Sequence, residues 1–160
     1  AARELGYARV AVVAESMGGL IALATLGAAA GDPAFPMPDA LATVSAPADY
    51  ALTGGLRPHL VKYVAPVRWV RPVAPLLGFR LGEVRLPRPL DVVDRLARPL
   101  LILHGDRDGT VPVRNAYLLN ERRPGATLRV YPGVDHAIDG MRARSPRVFL
   151  DDLRGMLEGL

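Results

Sequence analysis

Val10-Ala-Val-Val-Ala-Glu-Ser-Met-Gly-Gly19 is an apolar, β-branched run that breaks at a Glu15-Ser16 pair. It continues through two glycines into the Ala/Leu-rich segment Leu20 to Ala30. By period this is a buried strand, a tight turn and a helix running from about Leu20. A serine at such a corner leaves the side-chain alternation of the strand and stands at the top of a sheet, its backbone pressed toward positive φ. Small neighbours let helix and strand pass closely. Serine is also a favoured residue at the start of a helix, where its hydroxyl caps a free amide. These ten residues leave both roles open.

The same grammar repeats downstream. Gly31 to Pro38 is a breaker-rich loop, and Ala40-Leu-Ala-Thr-Val-Ser45 reads as a second short strand. Arg98-Pro-Leu-Leu-Ile-Leu-His104 is a third, breaking into Gly105-Asp-Arg-Asp-Gly-Thr-Val-Pro112. A helix from Val113 to about Arg123 is stopped by Pro124-Gly125, and a fourth strand runs from Thr127 to Tyr131. Pro132 to Asp139 reads as a loop, and Ser145-Pro146 opens a last helix, with Ser145 as its cap. Ala1 to Tyr7 resembles the last turns of a helix closed by Gly6, so the chain is expected to start in the middle of a larger fold.

Continuous apolar strands alternating with helices specify an α/β protein, a parallel sheet of about four strands with flanking helices. Functional groups in such sheets gather beyond the carboxyl ends of the strands. Ser16 follows the first strand, Asp106 and Asp108 the third, Asp135 and His136 the fourth. All three residue types of a nucleophile, a base and an orienting acid thus share one edge.

Length and composition set limits around this reading. The 160 residues form a single domain with half of its residues hydrophobic, and no uninterrupted apolar run is long enough to span a membrane. The absence of cysteine excludes disulfides and thiol catalysis and fits a cytoplasmic location. The histidines and carboxylates follow no metal-ligand spacing, and Gly18-Gly19 lacks the lysine of a phosphate loop, so neither metal nor cofactor is expected. The net charge of +4 is unevenly placed: residues 50–95 hold eight basic and three acidic side chains, a surplus of +5, which leaves −1 for the rest. A nucleic-acid partner is therefore not expected.

The basic stretch lies in an insertion at about 46–95, interrupted by prolines at 47, 58, 66, 72, 75, 87 and 89. Leu60, Val64, Val67 and Leu76 are among its apolar residues at roughly helical spacing, which reads as short kinked amphipathic helices. They form either an ordinary solvated face or a surface that covers an acyl chain or touches a membrane. Trp69 and His59 belong to this insertion.

The motifs together resemble the C-terminal half of an α/β-hydrolase. Ala14-Glu-Ser-Met-Gly18 is similar to the nucleophile elbow G-x-S-x-G, with alanine for the first glycine. Pro99 to Pro112 resembles the acid-bearing turn of that family, and Val134-Asp-His136 its histidine loop. The order nucleophile, acid, histidine is the same. The resemblance implies Ser16 as nucleophile, Asp108 rather than Asp106 as the acid, and His136 as the base, with Asp106 stabilising the turn. It implies the Met17 backbone N–H as one oxyanion donor, the second lying on an earlier strand of the family fold, and the insertion as a short cap.

Asp135 is expected to be solvated and His104 to be packed or hydrogen-bonded to the acid turn. The implied activity is hydrolysis of carboxylic esters, small or lipid-like, as in monoacylglycerol lipases and lysophospholipase-like esterases. The alternatives are an acyltransferase or perhydrolase with the same residues, or a non-catalytic fragment whose open first strand favours oligomerisation.

Overall fold

The computed structural model describes residues 2–49, 87–136 and 138–159. Most of the basic insertion, with Trp69, His59 and the expected kinked helices and membrane-touching surface, lies outside the described residues.

Four parallel strands form one sheet in the order β1-β2-β3-β4: β1 Ala11–Glu15, β2 Ala40–Val44, β3 Leu100–Gly105 and β4 Thr127–Tyr131. The register aligns Glu15 with Val44, Val44 with Leu103 and Leu103 with Arg129. The carboxyl ends therefore lie level, and the loops that follow them share one rim. Every residue of β2 and β3 is buried, Thr43 and His104 included, as near-continuous apolar runs require when both faces of a sheet are covered. β1 is an edge of this sheet, and Val13 on it is half exposed.

Among the described residues five helices cover the two faces: α1 Ser16–Ala28, α2 Pro89–Val92 (continued by a 3-10 turn, Val93–Arg95), α3 Arg114–Arg122, α4 Ile138–Arg144 and α5 Pro146–Glu158. Alternate residues of the strands separate two cores. Leu41, Leu100 and Ile102 pack with Leu23 and Leu26 of α1, Val93, and Ala116 and Leu119 of α3. Ala42, Val44, Leu101 and Leu103 pack with Tyr131, Val134, Met141 of α4 and Phe149 of α5. Each fully buried leucine contributes about 1.5–3 kcal/mol by leaving water. The two ends of the insertion belong to the first core, since Ala46, Ala48 and Val93 are buried in it. α1 sits close to α2 because Gly27 has no Cβ, which would lie 2.6 Å from Val92 Cγ2.

Several local expectations are revised. α1 begins at Ser16, not near Leu20. Residues 2–6 form turns rather than a helix end, with Gly6 at φ +89°. The loop after β4 is shorter than expected, because α4 starts at Ile138. Ser145 stands at the cap position of α5 without a capping side-chain hydrogen bond, and Pro146 opens that helix.

Candidate active site

Ser16 is the first residue of α1 and has φ +48°, a left-handed conformation rare outside glycine. Two constraints produce it. The chain must turn from β1 straight into α1, and Gly19 lets the helix descend onto the β2 loop, where a Cβ would meet Ala46 Cβ at 2.6 Å. The capping role for Ser16 does not hold, because Glu15 occupies the cap position and the Ser16 hydroxyl is engaged elsewhere. Ser16 Oγ lies 2.9 Å from His136 Nε2.

His136 follows β4 and reaches back over the rim. Its Nδ1 is 2.8 Å from Asp108 Oδ2. With Nδ1–H donating to the carboxylate, the Nε2 lone pair faces the serine hydroxyl, and this tautomer satisfies all three groups. Asp108 is buried at the turn after β3, where its Oδ1 accepts the N–H groups of Thr110 (2.9 Å) and Val111 (2.7 Å). One oxygen is thus fixed by backbone, and the other is left for the imidazole. Burial pushes the Asp108 carboxyl up, but hydrogen bonds from His104, His136 and the Val111 amide outweigh it and hold the group well below the usual carboxylate range. The hydrogen bond to Asp108 raises His136 against the opposing effect of burial, helped by the charges of Asp108, Glu15 and Asp135.

The structure thus brings three of the residues singled out from sequence into one hydrogen-bonded row. Met17, whose N–H is the expected oxyanion donor, follows directly in the first turn of α1, where amides have no acceptor within the helix. Asp106 stays out of the row; its Oδ1 accepts the Gly133 N–H at 2.6 Å, tying the β3 turn to the β4 turn. His104 is fully buried against the acid turn, as expected: Nε2–H donates to Val111 O at 2.8 Å and lies 3.4 Å from Asp108 Oδ2. Its Nδ1 has no partner among the described residues.

Two carboxylates carry more than the sequence reading assigned them. Asp135 is exposed but not merely solvated, because Oδ1 accepts the N–H of His136 (2.7 Å) and of Gly109 (3.2 Å). Glu15, read only as part of the polar break after β1, accepts the Ile138 N–H at 3.1 Å. No spacing rule exposes either bond, since the partners are backbone amides up to 123 residues away. Gly105 completes the fit: a Cβ there would lie 2.3 Å from Val134 O. A depression lined by Pro99, Thr127, Arg129, Asp152 and Met156 lies at the other end of the sheet and contains none of these groups.

No protein-family model and no curated protein matches the chain. Solved structures do match. An esterase domain from a Rhodothermus marinus protein is 25% identical with a TM-score of 0.51, over 79% of this chain and 50% of that one. A Pyrococcus furiosus esterase is 23% identical, TM-score 0.62, over 94% of this chain and 53% of its own. An α/β-hydrolase enzyme from the metagenome of Mar Chica lagoon sediments is 20% identical, TM-score 0.61, over 98% of this chain and 64% of its own. The chain has the fold of the α/β-hydrolases, and it spans about half the length of the first two structures.

Proposed function

We propose that this protein is a serine hydrolase that cleaves carboxylic esters, small or lipid-like, through an acyl-enzyme. The observation that carries the reading is the continuous row from Ser16 Oγ through the His136 ring to Asp108, with the far carboxylate oxygen already held by two amides. The esterases that share the fold support it.

In this reading His136 Nε2 takes the hydroxyl proton as Ser16 Oγ attacks the ester carbonyl. Asp108 keeps the ring in the required tautomer and balances the imidazolium. The Met17 N–H donates to the developing oxyanion, an interaction whose loss costs roughly 10²- to 10³-fold in rate. His136 then protonates the departing alkoxide, and water, deprotonated by the same nitrogen, releases the acid from Ser16. Lipid-like substrates, as for monoacylglycerol lipase-like enzymes, follow from the apolar and basic character of the insertion.

The test is labelling of the complete protein with a fluorophosphonate together with turnover of p-nitrophenyl esters. Ser16→Ala should abolish both. Unlabelled Ser16, or turnover surviving that substitution, would overturn the mechanism. Product analysis with competing alcohol or peroxide acceptors separates hydrolysis from acyl transfer.

A further inference from the structure

We propose that Glu15 and Asp135 are positioning residues, two carboxylates that hold the backbone of the histidine loop from either side and keep His136 Nε2 within reach of Ser16 Oγ. The inference rests on the roles proposed above for Ser16, His136 and Asp108.

His136 stands on a loop, so its ring can be no better placed than its backbone. Before the ring, Asp135 Oδ1 binds the His136 amide at 2.7 Å and the Gly109 amide at 3.2 Å. After it, Glu15 Oε1 binds the Ile138 amide at 3.1 Å. The partners are not arbitrary: Gly109 adjoins Asp108, and Glu15 adjoins Ser16. Each carboxylate therefore ties the loop to the chain neighbour of another member of the row. The three residues are joined once through their side chains and again, one or two residues away, through backbone amides. A side-chain row alone is easily lengthened by a drifting loop, and a displacement of about 1 Å can lower a rate by 10²-fold.

Both residues also bear charge toward the imidazole. Among the described residues, the charged groups facing His136 are Glu15 from the end of β1, Asp108 from the turn after β3 and Asp135 from its own loop. Asp106 lies in the same turn as Asp108, His104 sits behind Asp108, and Asp139 lies in the first turn of α4. Glu15 and Asp135 each raise the proton affinity of the ring. Charge and hydrogen bonding are therefore separable by substitution. Glutamine at 15 or asparagine at 135 keeps an acceptor oxygen and removes the charge, whereas alanine removes both.

The experiment measures kcat and KM for a p-nitrophenyl ester between about pH 5 and 9. It uses the complete protein and its Glu15→Gln, Glu15→Ala, Asp135→Asn and Asp135→Ala variants, with fluorophosphonate labelling of Ser16 alongside. The alanine variants should lose about ten- to a hundredfold in kcat with KM within about twofold. The amide variants should recover most of kcat while the acid limb of kcat/KM moves to lower pH. If an alanine variant does not fold, the kcat of its amide counterpart decides: the retained acceptor should keep it within a few-fold of wild type, and a loss of about ten- to a hundredfold overturns the clamp. Amide variants that lose as much kcat as the alanine variants, or alanine variants that change only KM, overturn the clamp while leaving labelled Ser16 intact. A wild-type protein unlabelled at Ser16 overturns the clamp and the hydrolase together.

Discussion

Gly105→Ala perturbs the site without touching any group in it. The added methyl would lie 2.3 Å from Val134 O and 2.8 Å from Asp135 O, both in the backbone of the histidine loop. Side-chain carbons approach other atoms no closer than 3.0–3.4 Å, so the loop must retreat by about 0.7–1.1 Å. A flexible side chain could swing aside; a backbone held by Asp106 at Gly133 and by Asp135 at Gly109 has less room. Overpacking of this kind destabilises by about 1–3 kcal/mol, and for a chain of this size each kcal/mol lowers Tm by roughly 2–4 °C.

The larger effect falls on the Ser16–His136 contact. At 2.9 Å it is a hydrogen bond, and lengthened by most of an ångström it is not. The expected outcome is a loss of about 10²-fold in kcat, with a drop of several degrees in Tm. Scanning calorimetry and p-nitrophenyl ester kinetics on one preparation measure both. A Gly105→Ala protein with wild-type kcat would refute the argument, because the loop could then give way without moving the imidazole.

Gly155→Ala is the matching control: it lies inside α5 with nothing within 4 Å of the new methyl, so it should stabilise by about 0.5–1 kcal/mol in chemical denaturation and leave turnover unchanged. Asp108→Asn should lower kcat by about 10⁴-fold, since an amide in that place favours the wrong imidazole tautomer, with the protein still folded by circular dichroism. Because the folded Asp108 carboxyl is more acidic than in the unfolded chain, its contribution to stability is present above the unfolded value near 3.9 and disappears as pH falls through the folded value. The gap in Tm between wild type and Asp108→Asn should accordingly narrow in acid. Asn115→Ala leaves the buried Ala48 N–H without the acceptor it has at 2.9 Å and should cost about 1–3 kcal/mol, read from denaturant midpoints.

The strands, their order and their shared rim were legible because β2 and β3 are short, near-continuous apolar runs, interrupted only by Thr43 and His104, the pattern of parallel strands covered on both faces. The row Ser16, His136, Asp108 was legible because each member follows a strand end. Misreadings arose where tertiary contacts outweigh local preference. Ser16 to Gly19 makes a poor helix start on propensity, with two glycines and no acid in the first turn, yet α1 begins there because Gly19 packs on Ala46. α4 is short and contains Gly140, so nothing in its sequence demands a helix; Met141 buried in the second core and the Glu15 bond to Ile138 hold it. Glu15 and Asp135 were illegible for a related reason, since a carboxylate that binds backbone leaves no residue type at the other end to recognise.

The left-handed backbone at Ser16 sets stability against chemistry at a single residue. A non-glycine side chain there carries a penalty of about 1–3 kcal/mol, which the surrounding packing must absorb. Glycine would relieve the strain and remove the hydroxyl in the same step. Selection of variants for thermal tolerance alone would therefore drift toward Ser16→Gly, a better-folded protein with nothing to offer a substrate, and only a screen that also demands turnover would keep the serine in place.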